Sequence, residues 1–477
     1  MKSPRSEPLN EPSRPNIIVI FPDQQRADSM GCYGQKLNVT PNLDKMAEEG
    51  VQFTNAISCQ PVCGPARSIM QTGLYATETE CFRNGIALHP RFTTIAQYLS
   101  KEGYRVGYIG KWHLASDRFV FFRKKIADKR KYGTSPIPQR LRGGYKDHWL
   151  ASDLLEFTSE PYKGHLFDEK MNKVEFEGYR VDKITDFVLE YLDTQNQDQP
   201  FFLFLSYLEP HQQNNYPNSH HFVGPKESTE KFKNFKVPGD LKNKNGNWRK
   251  NYADYLACCH SIDKNVGRIQ KKLKEMDLDD NTVIIYISDH GCHFRTRNSE
   301  DKMSCHESSV HIPLIISGPG FKKNKTLSHL VSTINIAPTI LELANIEIPE
   351  YFRGRSLCEI LKSENKEWKN EIFIQISESQ VGRALRTKQW KYSVRAPFRL
   401  GVFHKNSKLY IEDCLYNLEK DPYERENLVK SENFEGVRAK LRKDLIEKIE
   451  EIEGIKVQIK PWMPFWKKLK YIFNFFK

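Results

Sequence analysis

The chain has 477 residues, 39% hydrophobic and 12% aromatic, with a formal charge of +13. It is too apolar to be disordered and long enough for two or more packed domains. The charge reads first as a lysine-rich solvated surface and second as attraction for anionic substrates or membranes, whereas nucleic acid is disfavoured because no zinc-finger spacing or RNA-recognition aromatic motif accompanies it.

Residues 1–15 carry Pro4, Pro8, Pro12 and Pro15 among charges, with no basic-then-apolar leader. No run approaches the roughly 20 apolar residues of a membrane span. A cytoplasmic protein is the expectation, although a chain trimmed of its leader would read the same. The ten cysteines include no C-x-x-C pair, so reduced thiols are expected rather than a structural zinc site.

Ile17 to Phe21 reads as a short buried strand. A helix is expected from Pro41, capped by Thr40, to Gly50. Residues 104–110 read as a strand. Residues 181–192 place Val181, Ile184, Val188 and Leu192 on one helical face. Phe201 to Leu208 follows as a buried strand, and 252–275 as a long helix. Val283 to Ile287 and Ile312 to Ile316 read as strands, and a helix is expected near 335–344. Strands alternating with helices predict an α/β domain over 15–365, a large, mainly parallel sheet sandwiched by helices.

The composition turns polar over 360–371. Strands at 372–376, 381–394 and 408–418 and a helix at 432–451 predict a small C-terminal antiparallel-sheet subdomain over 371–455. Residues 118–146, rich in Arg and Lys, and 212–250 read as long loops that either shape a pocket or decorate the surface. The tail, 456–477, mixes aromatics with lysines from Pro461 onward. It would lie on a membrane surface or dock on the protein itself.

Asp23 follows the first strand, and Asp289 and His290 follow another, at the carboxyl ends where open α/β sheets bind ligands. Singly, such carboxylates cap adjacent helices. Together, Asp23, Gln24, Asp289 and His290 favour a mixed, mostly oxygen site for a hard divalent cation such as Ca²⁺ or Mg²⁺. Lys111-Trp112-His113 and Pro210-His211 also follow strands, and Lys302 lies between Asp289 and the strand at 312. Each of these is a weak signal alone. Cys63 opens the run Cys63-Gly64-Pro65-Ala66-Arg67, followed by Thr72-Gly73.

That run resembles the sulfatase signature at which a cysteine is oxidised to formylglycine. The order of the other segments agrees: Pro22-Asp23-Gln24, Thr40-Pro41-Asn42, Gly110-Lys111-Trp112-His113, Pro210-His211, Ser288-Asp289-His290-Gly291, Lys302 with Glu307, Arg386 to Tyr392 and Leu415 to Glu424. The likeness spans about 15–430 and is to the Asp-Gln branch of the family. It implies an alkaline-phosphatase-like fold and a sulfuric ester hydrolase whose formylglycine hydrate attacks sulfur. A maturation enzyme would generate the formylglycine from Cys63. The divalent metal would be Ca²⁺, with Mg²⁺ or Mn²⁺ as alternatives, held by Asp23, Gln24, Cys63, Asp289 and His290. Arg67 would stabilise the hydrate, and Lys111 and Lys302 would clamp sulfate. His113 would serve the hydrate's second hydroxyl, and His211, with Lys302, would protonate the leaving alcohol. Asn84 would contact substrate, a sulfated small molecule or, by the basic segment 118–146, a sulfated glycan. Relatives often carry asparagine at the position of His290 and arginine at that of His311. The rivals are a phosphonate monoester hydrolase or phosphodiesterase of the same superfamily, and a non-catalytic basic binding protein. Lys111 and His113 favour sulfate over the first.

Overall fold

The structure is a computed structural model and describes residues 14–116, 132–213, 222–321, 324–362 and 368–464. Its first strand, Asn16–Asp23, is buried along its whole length. It lies parallel between Phe201–Pro210 and Thr282–Ile287, with Ile18 opposite both Leu203 and Ile284. These neighbours are also wholly buried, so each strand reads as a continuous apolar run rather than an alternation. Arg105–Lys111 and His148–Ser152 extend the parallel set beyond Phe201–Pro210.

Successive side chains of the first strand serve opposite layers. Ile17, Val19 and Phe21 pack toward the helices Cys63–Thr72, Ile95–Lys101 and Ile336–Leu343. Ile18 and Ile20 pack toward Pro41–Glu49, Arg180–Asp193 and Trp248–Glu275. The expected sandwich of helices around a mainly parallel sheet is therefore the observed architecture.

Among the described residues the sheet has twelve strands, and its far edge is mixed. The segment expected as one strand from 312 to 316 is broken at Pro313 into His311–Ile312 and Leu314–Ser317, since proline offers no N–H to the ladder. Leu314–Ser317 runs antiparallel to Thr282–Ile287 and to Val51–Ile57. Val51–Ile57, His148–Ser152 and Lys325–Ser332 are strands that periodicity did not pick out.

The second sheet has five strands among the described residues. Glu371–Ile376, Gly382–Thr387, Trp390–Arg395 and Leu409–Asn417 pair antiparallel, so the expected strand 381–394 is a hairpin. The last strand, Gln458–Lys460, pairs parallel with Leu409–Asn417. The segment expected as a basic aromatic tail thus begins as part of this sheet. Trp462 follows it down: its N–H donates to Glu412 Oε2 at 3.1 Å, and Lys430 sits 4.3 Å from its ring. Helix Glu435–Glu453 covers the sheet through Leu441, Leu445 and Ile449. Residues 118–131 of the basic segment 118–146, residues 214–221 of the 212–250 loop and the tail beyond 464 lie outside the described residues. Among the described residues, no helix is long and apolar enough to cross a membrane.

Candidate active site

The carboxyl ends of four neighbouring strands, Thr282–Ile287, Asn16–Asp23, Phe201–Pro210 and Arg105–Lys111, and the start of one helix build the site. Asp23 ends the first strand, and the backbone turns left-handed at Gln24, φ 73°. That turn aims the Gln24 N–H at Asp289 Oδ1, 2.8 Å away, and joins two strand ends. Cys63 opens the ten-residue helix Cys63–Thr72, every residue of which is buried. The helix stops at Gly73, φ 67°, where a Cβ would lie 2.6 Å from the Phe352 ring. The helix start therefore meets the strand ends. Cys63 Sγ lies 3.4 Å from Asp23 Oδ1, 3.3 Å from His290 Nε2 and 2.7 Å from Lys302 Nζ.

Three cations surround this point. Arg67, one turn into the helix, reaches Asp23 Oδ2 at 3.0 Å and donates to the Lys111 carbonyl and Ser206 Oγ. Lys111 Nζ lies 3.0 Å from Asp23 and 3.4 Å from Glu156. Its approach requires Gly110, φ 112°, since a Cβ there would fall 1.9 Å from the Ser206 carbonyl oxygen. Lys302 Nζ also lies 3.1 Å from His211 Nε2. The Nδ1 of His211 faces the Gln212 carbonyl at 2.7 Å and that of His290 faces the Gly291 carbonyl at 2.9 Å. A carbonyl only accepts, so both rings carry their proton on Nδ1 when neutral and turn a lone pair at Nε2 into the site.

Burial, reinforced by neighbouring cations, holds His113, His211 and His290 well below the ordinary histidine range. All three are neutral imidazoles at pH 7. Burial opposes the charge on Asp23, but Lys111, His211, Lys302 and Arg67 outweigh it and hold the group well below the carboxylate range. Burial likewise opposes the charge on Lys302, and Cys63, Asp23 and Asp289 outweigh it, so the ammonium is retained. Asp289 is pushed up to about 7 by burial and by the charge of Asp23. Burial and Asp23 push the Cys63 thiol up to about 12, which leaves the encoded side chain a poor nucleophile.

The donor set suits a hard cation. Asp23, Cys63, Asp289 and His290 offer ligand atoms within 4.8 Å of one another. Asp289 Oδ2 and Gln24 Oε1 are buried without a hydrogen-bond partner. Orphaned buried oxygens are rare in folded proteins, and a divalent ion would satisfy both.

Asp23, Gln24, Cys63, Arg67, Lys111, His211, Asp289, His290 and Lys302 thus converge. His113 is buried beside the helix start; its N–H donates to the Asp153 carbonyl and its own carbonyl lies against Gly64. Asn84 is at the rim, where Oδ1 accepts the Gly64 N–H at 2.9 Å. His311 is elsewhere, on the Thr54 carbonyl. Sequence reasoning missed Glu156, which backs Lys111, and Glu378, which accepts the Asn84 N–H at 2.6 Å. No local pattern marks either one.

A Sulfatase family model matches residues 15–346, and one described as the C-terminal part of N-sulphoglucosamine sulphohydrolase matches 298–451. The chain is 29% identical to an ulvan-active sulfatase of Formosa agariphila, over 98% of this chain and 87% of that one. It is 25% identical to an N-acetylglucosamine-6-O-sulfatase of Bacteroides thetaiotaomicron, over 93% and 87%. The crystal structure of yidJ from Bacteroides fragilis superposes with a TM-score of 0.77 at 26% identity, covering 94% and 98%. With the family model spanning well over half its length, this chain belongs to the sulfatase family and is a sulfuric ester hydrolase.

Proposed function

We propose that the protein hydrolyses a sulfate monoester on a carbohydrate, through formylglycine made from Cys63 and a divalent cation. The observation that carries this reading is the meeting of Cys63 with Asp23, His290 and Lys302 at 2.7–3.4 Å, at the start of a buried helix. The substrate class is supported by relatives named for ulvan and for N-acetylglucosamine 6-O-sulfate.

Asp23, Gln24, Asp289, His290 and residue 63 would hold the cation, Ca²⁺ before Mg²⁺ or Mn²⁺. When present, the cation supplies Lewis-acid neutralisation of sulfate oxygens, and formylglycine supplies, as its hydrate, a nucleophile that the thiol is not. The chain's own residues prepare this chemistry. Asp23, Asp289 and Glu156 face Arg67, Lys111 and Lys302, so among the described residues of the site the cations are no fewer than the carboxylates. An added divalent ion leaves a positive surplus for an anionic ester. Lys111 and Lys302 bind the sulfate oxygens. His113, kept neutral, accepts a proton at residue 63. His211, whose Nε2 lies 3.1 Å from the Lys302 ammonium, would together with that ammonium, the proton source, protonate the leaving alcohol. Asn84 at the rim contacts the sugar.

The test is intact-mass analysis of the Cys63 peptide after co-expression with a formylglycine-generating enzyme, with kinetics on a sulfate monoester and a phosphate diester. Aldehyde at position 63 and a larger kcat/KM on the sulfate are expected. A larger kcat/KM on the diester refutes the reading in favour of a phosphonate or phosphodiester hydrolase.

A further inference from the structure

Seven large apolar side chains among the described residues are strongly exposed, and three of them share one loop of the second sheet. Phe398, Leu400 and Phe403 are 40%, 61% and 41% exposed. Phe398 adopts a φ of 55°, a left-handed backbone that an aromatic residue rarely takes, and such outliers persist only where surrounding structure enforces them. The enforcement is visible. The Ala396 N–H donates to the Val381 carbonyl at 2.8 Å. Gly401 packs so tightly on the preceding hairpin that a Cβ there would lie 2.4 Å from the Gln380 carbonyl oxygen and 2.6 Å from the Glu378 nitrogen. The ring is therefore held outward by a fixed loop.

Beside it lies a cavity of about 580 Å³, lined by Gln380, Arg395, Phe398, Arg399, Leu400 and Asp413 among others. Arg395 is fixed at its rim by Asp413, 2.8 Å away. Hydrogen bonds tie its wall to the catalytic site. Ser379, also in its wall, donates to the carbonyl of Met303, the neighbour of Lys302, at 2.7 Å. Glu378, one residue before Ser379, holds Asn84, which in turn holds Gly64 beside Cys63.

We infer that this cavity is a second sugar subsite, receiving a neighbouring unit of a sulfated oligosaccharide whose reacting ester lies at residue 63. The inference rests on the carbohydrate reading of the active site and adds to it that the substrate is a chain rather than a single sugar. The chemistry of the walls fits. An aromatic face and Leu400 meet the C–H face of a pyranose ring, a carboxylate and an amide meet hydroxyls, and planar guanidinium groups suit sulfate or carboxylate. The volume is that of a small-ligand site, and the concave mix of guanidinium and carboxylate differs from the charge-depleted core of a protein interface.

The test uses the full-length matured enzyme and its Phe398→Ala and Arg399→Ala variants. Substrates are nitrophenyl sulfate and matched di- and hexasaccharides from ulvan, heparan sulfate, chondroitin sulfate and carrageenan. At least one hexasaccharide is expected to exceed its disaccharide in kcat/KM. Each variant should reduce that advantage by about tenfold, while nitrophenyl sulfate turnover changes far less. Equal handling of short and long chains, equal losses on both substrate types, or no turnover of any oligosaccharide overturns the subsite while leaving sulfate-ester hydrolysis standing. No turnover of nitrophenyl sulfate by the parent enzyme overturns the underlying reading as well.

Discussion

Two clusters of buried charge have members only five residues apart in the chain, Lys302 and Glu307, yet they are built to opposite ends. Around Glu307, where the second sheet meets the first, every carboxylate oxygen is engaged. Arg386 forks onto Glu307 at 3.1 and 3.3 Å. Lys391 lies 2.6 Å from Glu307 and 2.8 Å from Glu424, whose other oxygen accepts the Glu307 N–H. Around Cys63 the same residue types leave Asp289 Oδ2 with no described cation nearer than Arg67, at 3.9 Å, and Gln24 Oε1 without a hydrogen-bond partner among the described residues. A closed set of buried charges serves the architecture, whereas an open set awaits something from outside. The distinction lies in how closely each carboxylate oxygen is approached by a cation, not in the amount of buried charge.

The sharpest test of the open cluster is Cys63→Ala. Turnover of a sulfate ester is expected to fall by more than about 10³-fold, because the nucleophile itself is removed. Near-ultraviolet circular dichroism should be unchanged, since a buried thiol is exchanged for a methyl group. Surviving turnover would remove Cys63 from the chemistry.

Crossing the two clusters comes next. Lys111→Met should lower kcat/KM by about 10²–10³-fold, the usual loss for a charge aimed at a developing anion. Lys391→Met should instead destabilise the fold by about 3–5 kcal/mol, by stranding two buried carboxylates, with turnover per folded molecule within a few-fold. Denaturant titration and initial rates on both variants check this. If Lys391→Met loses activity as heavily as Lys111→Met at unchanged stability, the contrast between the clusters is wrong.

Acid should separate them further. Burial opposes the charge on Glu307, but Arg386, Lys391 and His311 outweigh it and hold the group well below its ordinary value near 4.5. A carboxyl depressed in the folded state stabilises fully above its unfolded pKa and loses that stabilisation as pH falls toward its folded one. Glu424, raised by burial and by the charge of Glu307, slopes the other way, so substitution is needed to isolate Glu307. The stability gap between the parent and Glu307→Gln should shrink by about 1–3 kcal/mol between pH 7 and pH 3.5. A constant gap would mean that Glu307 is not held ionised by its partners.

The contrast also explains what could be read from the sequence. Ile17 to Phe21 and Val283 to Ile287 were legible because burial on both faces leaves an unbroken apolar run. Val51–Ile57 was not, because Gln52 and Asn55 sit in it. Their amides are satisfied by the carbonyls of Cys32 and Ser328, partners that only the folded chain supplies. In the site, the strand-end residues and the Cys63 run were legible as ordered motifs. Glu156 was hidden in the short helix Leu155–Thr158, which has no periodicity to exploit. Glu378 reaches Asn84 only because the second sheet docks beside the first.

The smallest effect is expected at His311. Its Nε2 lies 2.8 Å from the Thr54 carbonyl, and its ring meets Tyr33 edge-on at 6.3 Å. The hydrogen bond joins the two-residue strand His311–Ile312 to Val51–Ile57, so the residue serves the sheet edge and, through its pull on Glu307, the closed cluster. His311→Gln should therefore lower stability by about 0.5–1.5 kcal/mol, the worth of one hydrogen bond, and change kcat/KM by less than about twofold. Because His311 neighbours Glu307 while Lys302 belongs to the open cluster, this variant probes how far the two are energetically separate. A tenfold loss of turnover at unchanged stability would make the junction part of the catalytic unit, and closed and open clusters would have to be treated as one.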